Sequence, residues 1–228
     1  FDTASYAFAP AGVTADLASG DVSGGAGADT LAEIEQLVGS VFNDVLRGDA
    51  GDTLIEPRAG DDIVSGRGGI DLLSFGFASN GITADMAAGT ASGEGTDSFV
   101  SFEWLLGSDS DDTITGSSSD DTIFTIDGRD SVFAGDGDDT VFGGSGRDTL
   151  RGQGGDDYLD GEGGADIVIG GAGTDTCFGE SATGCEFVGD TLTSGPDTTL
   201  LDGLAWGHAA AVRLAVLAAL RYQPLLPS

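Results

Sequence analysis

Aspartate recurs at every ninth residue between positions 112 and 175: Asp112, Asp121, Asp130, Asp139, Asp148, Asp157, Asp166 and Asp175. Such a row of carboxylates has almost nothing to neutralise it. The 228 residues hold 39 Asp plus Glu against 8 Arg and no Lys, a net charge of −31. Fixed carboxylates at fixed spacing need a counter-ion, and hard oxygen ligands select Ca²⁺. The same charge excludes nucleic acid, whose phosphates would be repelled, and argues against binding to an anionic membrane surface. A hydrophobic fraction of 39% is too high for a plain acidic, disordered tail, and the acid is periodic rather than blocky.

The elements that must position these carboxylates are repeats. From Gly107 to Phe178 the sequence divides without a gap into GSDSDDTIT, GSSSDDTIF, TIDGRDSVF, AGDGDDTVF, GGSGRDTLR, GQGGDDYLD, GEGGADIVI and GGAGTDTCF. The sixth position is always Asp and the eighth always apolar: Ile114, Ile123, Val132, Val141, Leu150, Leu159, Val168 and Cys177. The fourth is Ser110 and Ser119 in the first two copies, then Gly128, Gly137, Gly146, Gly155, Gly164 and Gly173. Each nonapeptide splits into a turn that needs glycine for positive φ and a short strand whose eighth residue points inward. Two nonapeptides make one coil of 18 residues, and coils stack through parallel strands. Equivalent residues one coil apart then lie about 4.8 Å from each other. The expected pairs are Asp112/Asp130, Asp121/Asp139, Asp130/Asp148, Asp139/Asp157, Asp148/Asp166 and Asp157/Asp175. Ca²⁺, which takes about six to eight oxygens, would relieve their repulsion with help from the carbonyls of the glycine turns. Six such ions would offset about 12 of the negative charges.

The nonapeptide resembles the RTX, or haemolysin-type, calcium-binding repeat family. The resemblance implies a parallel β-roll that binds several Ca²⁺ ions through these aspartates and the position-four glycines. Looser copies precede it. GSVFNDVLR (39–47), PRAGDDIVS (57–65) and GRGGIDLLS (66–74) add Asp44, Asp62 and Asp71 as weaker candidate ligands, whereas GDAGDTLIE (48–56) reads one residue out of step at Asp52. Phe1-Asp2-Thr3-Ala4 reads as the second half of a repeat. A longer unit is also duplicated: residues 2–46 match 71–114, with Tyr6 opposite Phe75, Val13 opposite Ile82, Glu35 opposite Glu103 and Gly39 opposite Gly107. GVTADL and GITADM alternate as strands do, and these units are expected to be wider coils of one solenoid. A similar long unit occurs in the resembled family. The isolated acids Asp16, Asp85, Glu33 and Glu94 read as turn formers.

Cys177 and Cys185 would be free thiols in the cytosol. In a chain that needs Ca²⁺, which is scarce inside cells, a local disulfide is expected. The resemblance supports this, since similar pairs end many arrays of the family. Beyond Cys185 a polar link (186–199) leads to LLDGLAWGHAAAVRLAVLAALRY (200–222), which reads as a helix closed by Pro224 and Pro227. Its apolar core, Leu204 to Leu220, is marginal for spanning a bilayer. His208, the single histidine, stands in that helix without ligand partners.

The expected fold is all-β, a parallel β-roll or β-solenoid with a short C-terminal α-helix. Residues 1–106 form the duplicated wider coils, 107–185 the regular roll ended by the cysteine pair, and 186–228 the link and helix. HExxH, GxSxG and Walker motifs are absent, so no enzymatic activity is expected. Two readings of function follow. One is an extracellular, Ca²⁺-folded structural, surface or filament subunit that associates with itself. The other is the secretion and folding module of a larger secreted enzyme, toxin or adhesin.

Overall fold

The structure, a computed structural model, describes residues 1–25 and 27–189. Its strands are mostly three residues long, as expected where a glycine turn interrupts the chain every nine residues. They form two long sheets that face each other across a thin core. The ten-stranded sheet runs Thr3–Ser5, Gln36–Val38, Leu54–Glu56, Leu72–Ser74, Trp104–Leu106, Thr122–Phe124, Thr140–Phe142, Tyr158–Asp160, Thr176–Phe178 and Phe187–Gly189, every neighbour parallel. The opposite, thirteen-stranded sheet carries the alternate nonapeptides.

The register follows the repeat. Ile114 pairs with Val132, Val132 with Leu150 and Leu150 with Val168 on one sheet. Ile123 pairs with Val141, Val141 with Leu159 and Leu159 with Cys177 on the other. All eight of these position-eight side chains are 0% exposed. One small apolar side chain per nonapeptide is little hydrophobic drive for ordering so many glycines, so other forces must hold the coil.

Two corrections concern the first hundred residues. GDAGDTLIE is not out of step. Ile55 pairs with Leu73 and Leu37, so Thr53 occupies position six and Asp52 position five. The long units, expected as wider coils, instead fold their extra residues back within the thirteen-stranded sheet. Val13–Asp16, Asp21–Gly24 and Asp29–Thr30 form one antiparallel meander. Thr83–Asp85, Thr90–Ser92 and Thr96–Val100 form the other. The turns that reverse the chain carry no nine-residue period, so periodicity is silent about them. The duplication itself extends to single bonds. Leu31 donates its N–H to the carbonyl of Gly20, and Phe99 donates its own to that of Gly89. Glu33 and Ser101, equivalent in the alignment, both have left-handed φ, 56° and 60°. The expected helix at 200–222 and the link before it lie outside the described residues.

Candidate metal centre

Position six lies at the end of each turn, where the chain enters its inward-facing strand. There the Asp side chain folds under its own turn and is buried: Asp112, Asp121, Asp130, Asp139, Asp148, Asp157, Asp166 and Asp175 are all 0–3% exposed, as are Asp44, Asp62 and Asp71. In the copies with glycine at position one, that glycine makes the room. A Cβ on Gly143 would meet Asp148 Oδ2 at 2.9 Å, and one on Gly161 would meet Asp166 Oδ2 at 2.6 Å.

The expected pairs meet one coil apart, through an unexpected contact. Oδ1 of each Asp accepts the backbone N–H of the Asp 18 residues earlier. The bonds are Asp112 to Asp130 (2.7 Å), Asp121 to Asp139 (2.8 Å), Asp130 to Asp148 (2.9 Å), Asp139 to Asp157 (3.0 Å), Asp148 to Asp166 (3.0 Å) and Asp157 to Asp175 (3.0 Å). Asp44 N–H donates to Asp62 Oδ1 (2.7 Å) and Thr53 N–H to Asp71 Oδ1 (2.8 Å) in the same way. Where a coil lengthens or shortens, another acid closes the row. Asp62 N–H reaches Asp97, Asp71 reaches Glu103, Asp166 reaches Glu180, Asp175 reaches Glu186 and Asp2 reaches Glu35. The alignment of Glu35 with Glu103 points to two of these acids; Asp97, Glu180 and Glu186 stand outside the nine-residue period.

Position five adds a row of opposite sense. Asp138 donates its N–H to Asp120 Oδ1 of the preceding coil (2.9 Å), Asp156 donates to Asp138 (2.8 Å), and Thr174 donates to Asp156 (2.7 Å). Adjacent acids thus stitch each coil in both directions.

The second oxygens divide the copies into two classes. Oδ2 of Asp62, Asp71, Asp130, Asp139, Asp148, Asp157, Asp166 and Asp175 is buried with no hydrogen-bond partner. In these eight copies the residue at position two is left-handed: Arg58, Arg67, Ile126, Gly135, Gly144, Gln153, Glu162 and Gly171. In three other copies position two is serine and φ is not positive, and its backbone N–H caps the carboxylate. Ser40 donates to Asp44 Oδ2 (2.5 Å), Ser108 to Asp112 Oδ2 (2.7 Å) and Ser117 to Asp121 Oδ2 (2.6 Å).

A buried carboxylate oxygen without a donor costs about 1–3 kcal/mol or more, and eight in two rows call for cations. The position-four glycines Gly128, Gly137, Gly146, Gly155, Gly164 and Gly173 line the turns beside them. All have φ between 112° and 152°, and any Cβ there would strike backbone of the preceding coil.

The model of the RTX calcium-binding nonapeptide repeat, in four copies, matches residues 33–55, 38–73, 102–125, 127–150 and 142–177, together half of the chain. The chain belongs to the RTX calcium-binding repeat family. No curated protein matches it.

Electrostatics in the RTX rows agree with a missing positive charge. Burial pushes Asp62 up to about 8. It pushes Asp71, Asp130 and Asp139 up to about 7, and Asp148 and Asp157 to about 6. The N–H bonds from the neighbouring coil oppose the rise, while carboxylates one coil away add to it. Among the described residues no three Asp, Glu, His or Cys side chains converge on one point. A six- to eight-oxygen shell would therefore draw several ligands from turn carbonyls.

Of the acids read as turn formers, Asp16 and Asp85 close local turns, whereas Glu94 accepts from a residue 15 positions earlier. Asp16 accepts from the N–H groups of Ala18 and Ser19 and pairs with Arg67 at 2.6 Å, which holds its carboxyl below the usual range. Asp85 accepts from Ala88, and Glu94 from Ser79. Cys177 and Cys185 form a disulfide with Cα atoms 6.1 Å apart, joining the strand Thr176–Phe178 to the segment between Ser181–Thr183 and Phe187–Gly189.

Proposed function

We propose that this chain is a non-catalytic roll that folds on Ca²⁺. The observation that carries the reading is the set of eight buried, unpartnered Oδ2 atoms in RTX register. The residues to hold the ions are Asp62, Asp71, Asp130, Asp139, Asp148, Asp157, Asp166 and Asp175, with carbonyls of the adjoining glycine turns. Asp44, Asp112 and Asp121 are already satisfied by serine and stay outside the set. Bound calcium supplies the positive charge that lets two rows of carboxylates stay ionised and packed, so binding free energy becomes folding free energy. Circular dichroism with calcium and with chelator tests this. The β signal should vanish in chelator at neutral pH and return with millimolar calcium; an unchanged signal overturns the reading.

The same reading places the chain outside the cell as a structural or surface subunit that associates with copies of itself. A disulfide and a calcium-driven fold both suit an oxidising, calcium-rich compartment. The duplication supports self-association. Thr96–Val100 is paired in parallel with Ile63–Ser65, whereas its counterpart Asp29–Thr30 is the outermost strand of its sheet among the described residues, an edge that a further coil or a second roll could extend. Electron microscopy should show filaments in calcium that disperse in chelator; monodisperse short rods at all concentrations would reject self-association. The second reading, a secretion and folding module, rests on the family match being to a repeat module. A mature native chain much larger than 22.7 kDa under denaturing conditions would favour it.

A further inference from the structure

The eleven nonapeptides with Asp at position six sort into two turn types, and positions two and four change together. Eight have a left-handed residue at position two and a glycine of φ 111–152° at position four, from Gly60 and Gly69 to Gly164 and Gly173. These are the turns whose Oδ2 is buried without a partner. The other three have serine at position two and no glycine at position four, where Phe42, Ser110 and Ser119 stand without positive φ. In them the serine hydroxyl accepts the N–H of position four, at 3.1 Å for Phe42, 3.2 Å for Ser110 and 3.1 Å for Ser119. The serine N–H takes Oδ2 of the aspartate. One residue thus supplies from within the turn the partner that a cation would supply in the others, so these turns close without metal.

Two of the three capped turns belong to one coil. The chain passes from Trp104–Leu106 through turn 107–112 to Thr113–Thr115, and through turn 116–121 to Thr122–Phe124. On its N-terminal side this coil rests on an apolar base. Trp104–Leu106 pairs with Leu72–Ser74 and Thr113–Thr115 with Thr83–Asp85. Phe75, Ile82, Phe99 and Phe102 are buried in the core of that base, and the rings of Phe99 and Phe102 meet edge to face at 6.2 Å. A buried aromatic side chain removes about 150–250 Å² from water. The base therefore has a hydrophobic drive that the later nonapeptides, with one inward aliphatic residue each, do not have.

On its other side the coil receives the first residues of both uncapped rows. Asp112 N–H donates to Asp130 Oδ1 on one edge, and Asp121 N–H to Asp139 Oδ1 on the other. Gly128 lies against Ser110 and Gly137 against Ser119, so closely that an added Cβ would come within 2.8 and 2.6 Å of their backbone carbons. Asp148, Asp157, Asp166 and Asp175 then repeat the same bonds coil by coil. Coils of a solenoid contact only their neighbours, so assembly starts at the coil that is stable first and spreads from it. We propose that the serine-closed coil, residues 104–121, is the template on which the calcium-bound coils assemble in chain order, from Asp130 and Asp139 towards Asp166 and Asp175. This rests on the calcium reading of the rows and adds a direction to it.

Hydrogen exchange on the full chain across a series of free calcium concentrations reads the direction. Amides of Thr113–Thr115 and Thr122–Phe124 should become protected at a calcium concentration about threefold or more below that needed by Ile167–Ala172 and Thr176–Phe178. A second arm rebuilds both capped turns in the glycine form, Ser108→Gly with Ser110→Gly and Ser117→Gly with Ser119→Gly. These changes keep the nonapeptide pattern and remove the serine closure. The lead should then disappear, the four segments gaining protection together, and calcium titration should count more ions per folded chain. Protection that begins at Ile167–Ala172, or in all four segments of the unaltered chain at one calcium concentration, overturns the template while the calcium reading stands. So does a lead that survives the four substitutions. Full protection of all four segments in chelator overturns both the template and the calcium reading beneath it.

Discussion

The backbone N–H of Asp139 donates to Oδ1 of Asp157 at 3.0 Å, while Oδ2 of Asp157 is buried with no hydrogen-bond partner. One carboxylate thus has one oxygen committed to the neighbouring coil and one left for a cation. The first oxygen gives register, and the second couples folding to metal.

Asp157→Asn separates these roles. The amide oxygen can keep the bond from Asp139, and the buried charge disappears. In chelator the roll should gain stability. In calcium it should lose affinity by about tenfold or more, ~1.4 kcal/mol. Calorimetric calcium titration and urea unfolding in both conditions measure the opposite signs.

Asp112→Asn should behave differently. Asp112 accepts from Ile82 N–H, Ser108 N–H and the Ser108 hydroxyl. An amide nitrogen there faces a donor, so the variant should lose about 1–3 kcal/mol in calcium and in chelator alike. The calcium titration per folded molecule should hardly move.

The rows also set the pH dependence of the metal-free chain. Folded-state values of Asp130 and Asp139 near 7, and of Asp148 and Asp157 near 6, lie above the ordinary 3.8. The folded state therefore binds more protons than the unfolded one between about pH 4 and 7. Its stability is fully present below about pH 4 and is lost as pH rises through 6 and 7. Unfolding in chelator should show a roll that forms in acid and melts towards neutrality. In calcium the trend should reverse, since protons compete with the ion for the same oxygens.

Reducing the Cys177–Cys185 disulfide, or replacing both cysteines by Val and Ser, opens a closure of 8 residues. The chain-entropy estimate is about 2–3 kcal/mol. The loss should be local. Exchange should rise first in Ser181–Thr183 and Phe187–Gly189, with Asp130 and Asp139 amides still slow.

Much of this architecture is legible as period. A nine-residue repeat with Asp at six and an apolar residue at eight dictates inward and outward faces, an 18-residue coil and the pairing of Leu150 with Val132 and Val168. What lay beyond the period was harder. Asp52 looked like position six because it is acidic, yet Ile55 and Thr53 hold the register and the row simply lacks a carboxylate there. The meanders after Val13 and Ile82 depend on non-repeating turns. The division into capped and uncapped carboxylates was written in Ser40, Ser108 and Ser117. Its meaning emerges only once position two is known to turn left-handed in the other copies.

Thr53 has a mechanical consequence. On its edge the acid brackets run from Asp2 to Glu35, from Thr53 to Asp71, from Asp71 to Glu103 and from Asp121 onward to Glu186, with none from Glu35 to Thr53 and none from Glu103 to Asp121. Tension along the axis loads these brackets in series. The junctions between Gln36–Val38 and Leu54–Glu56 and between Trp104–Leu106 and Thr122–Phe124 are then the fuses of that edge, the places where a pulled roll should yield first.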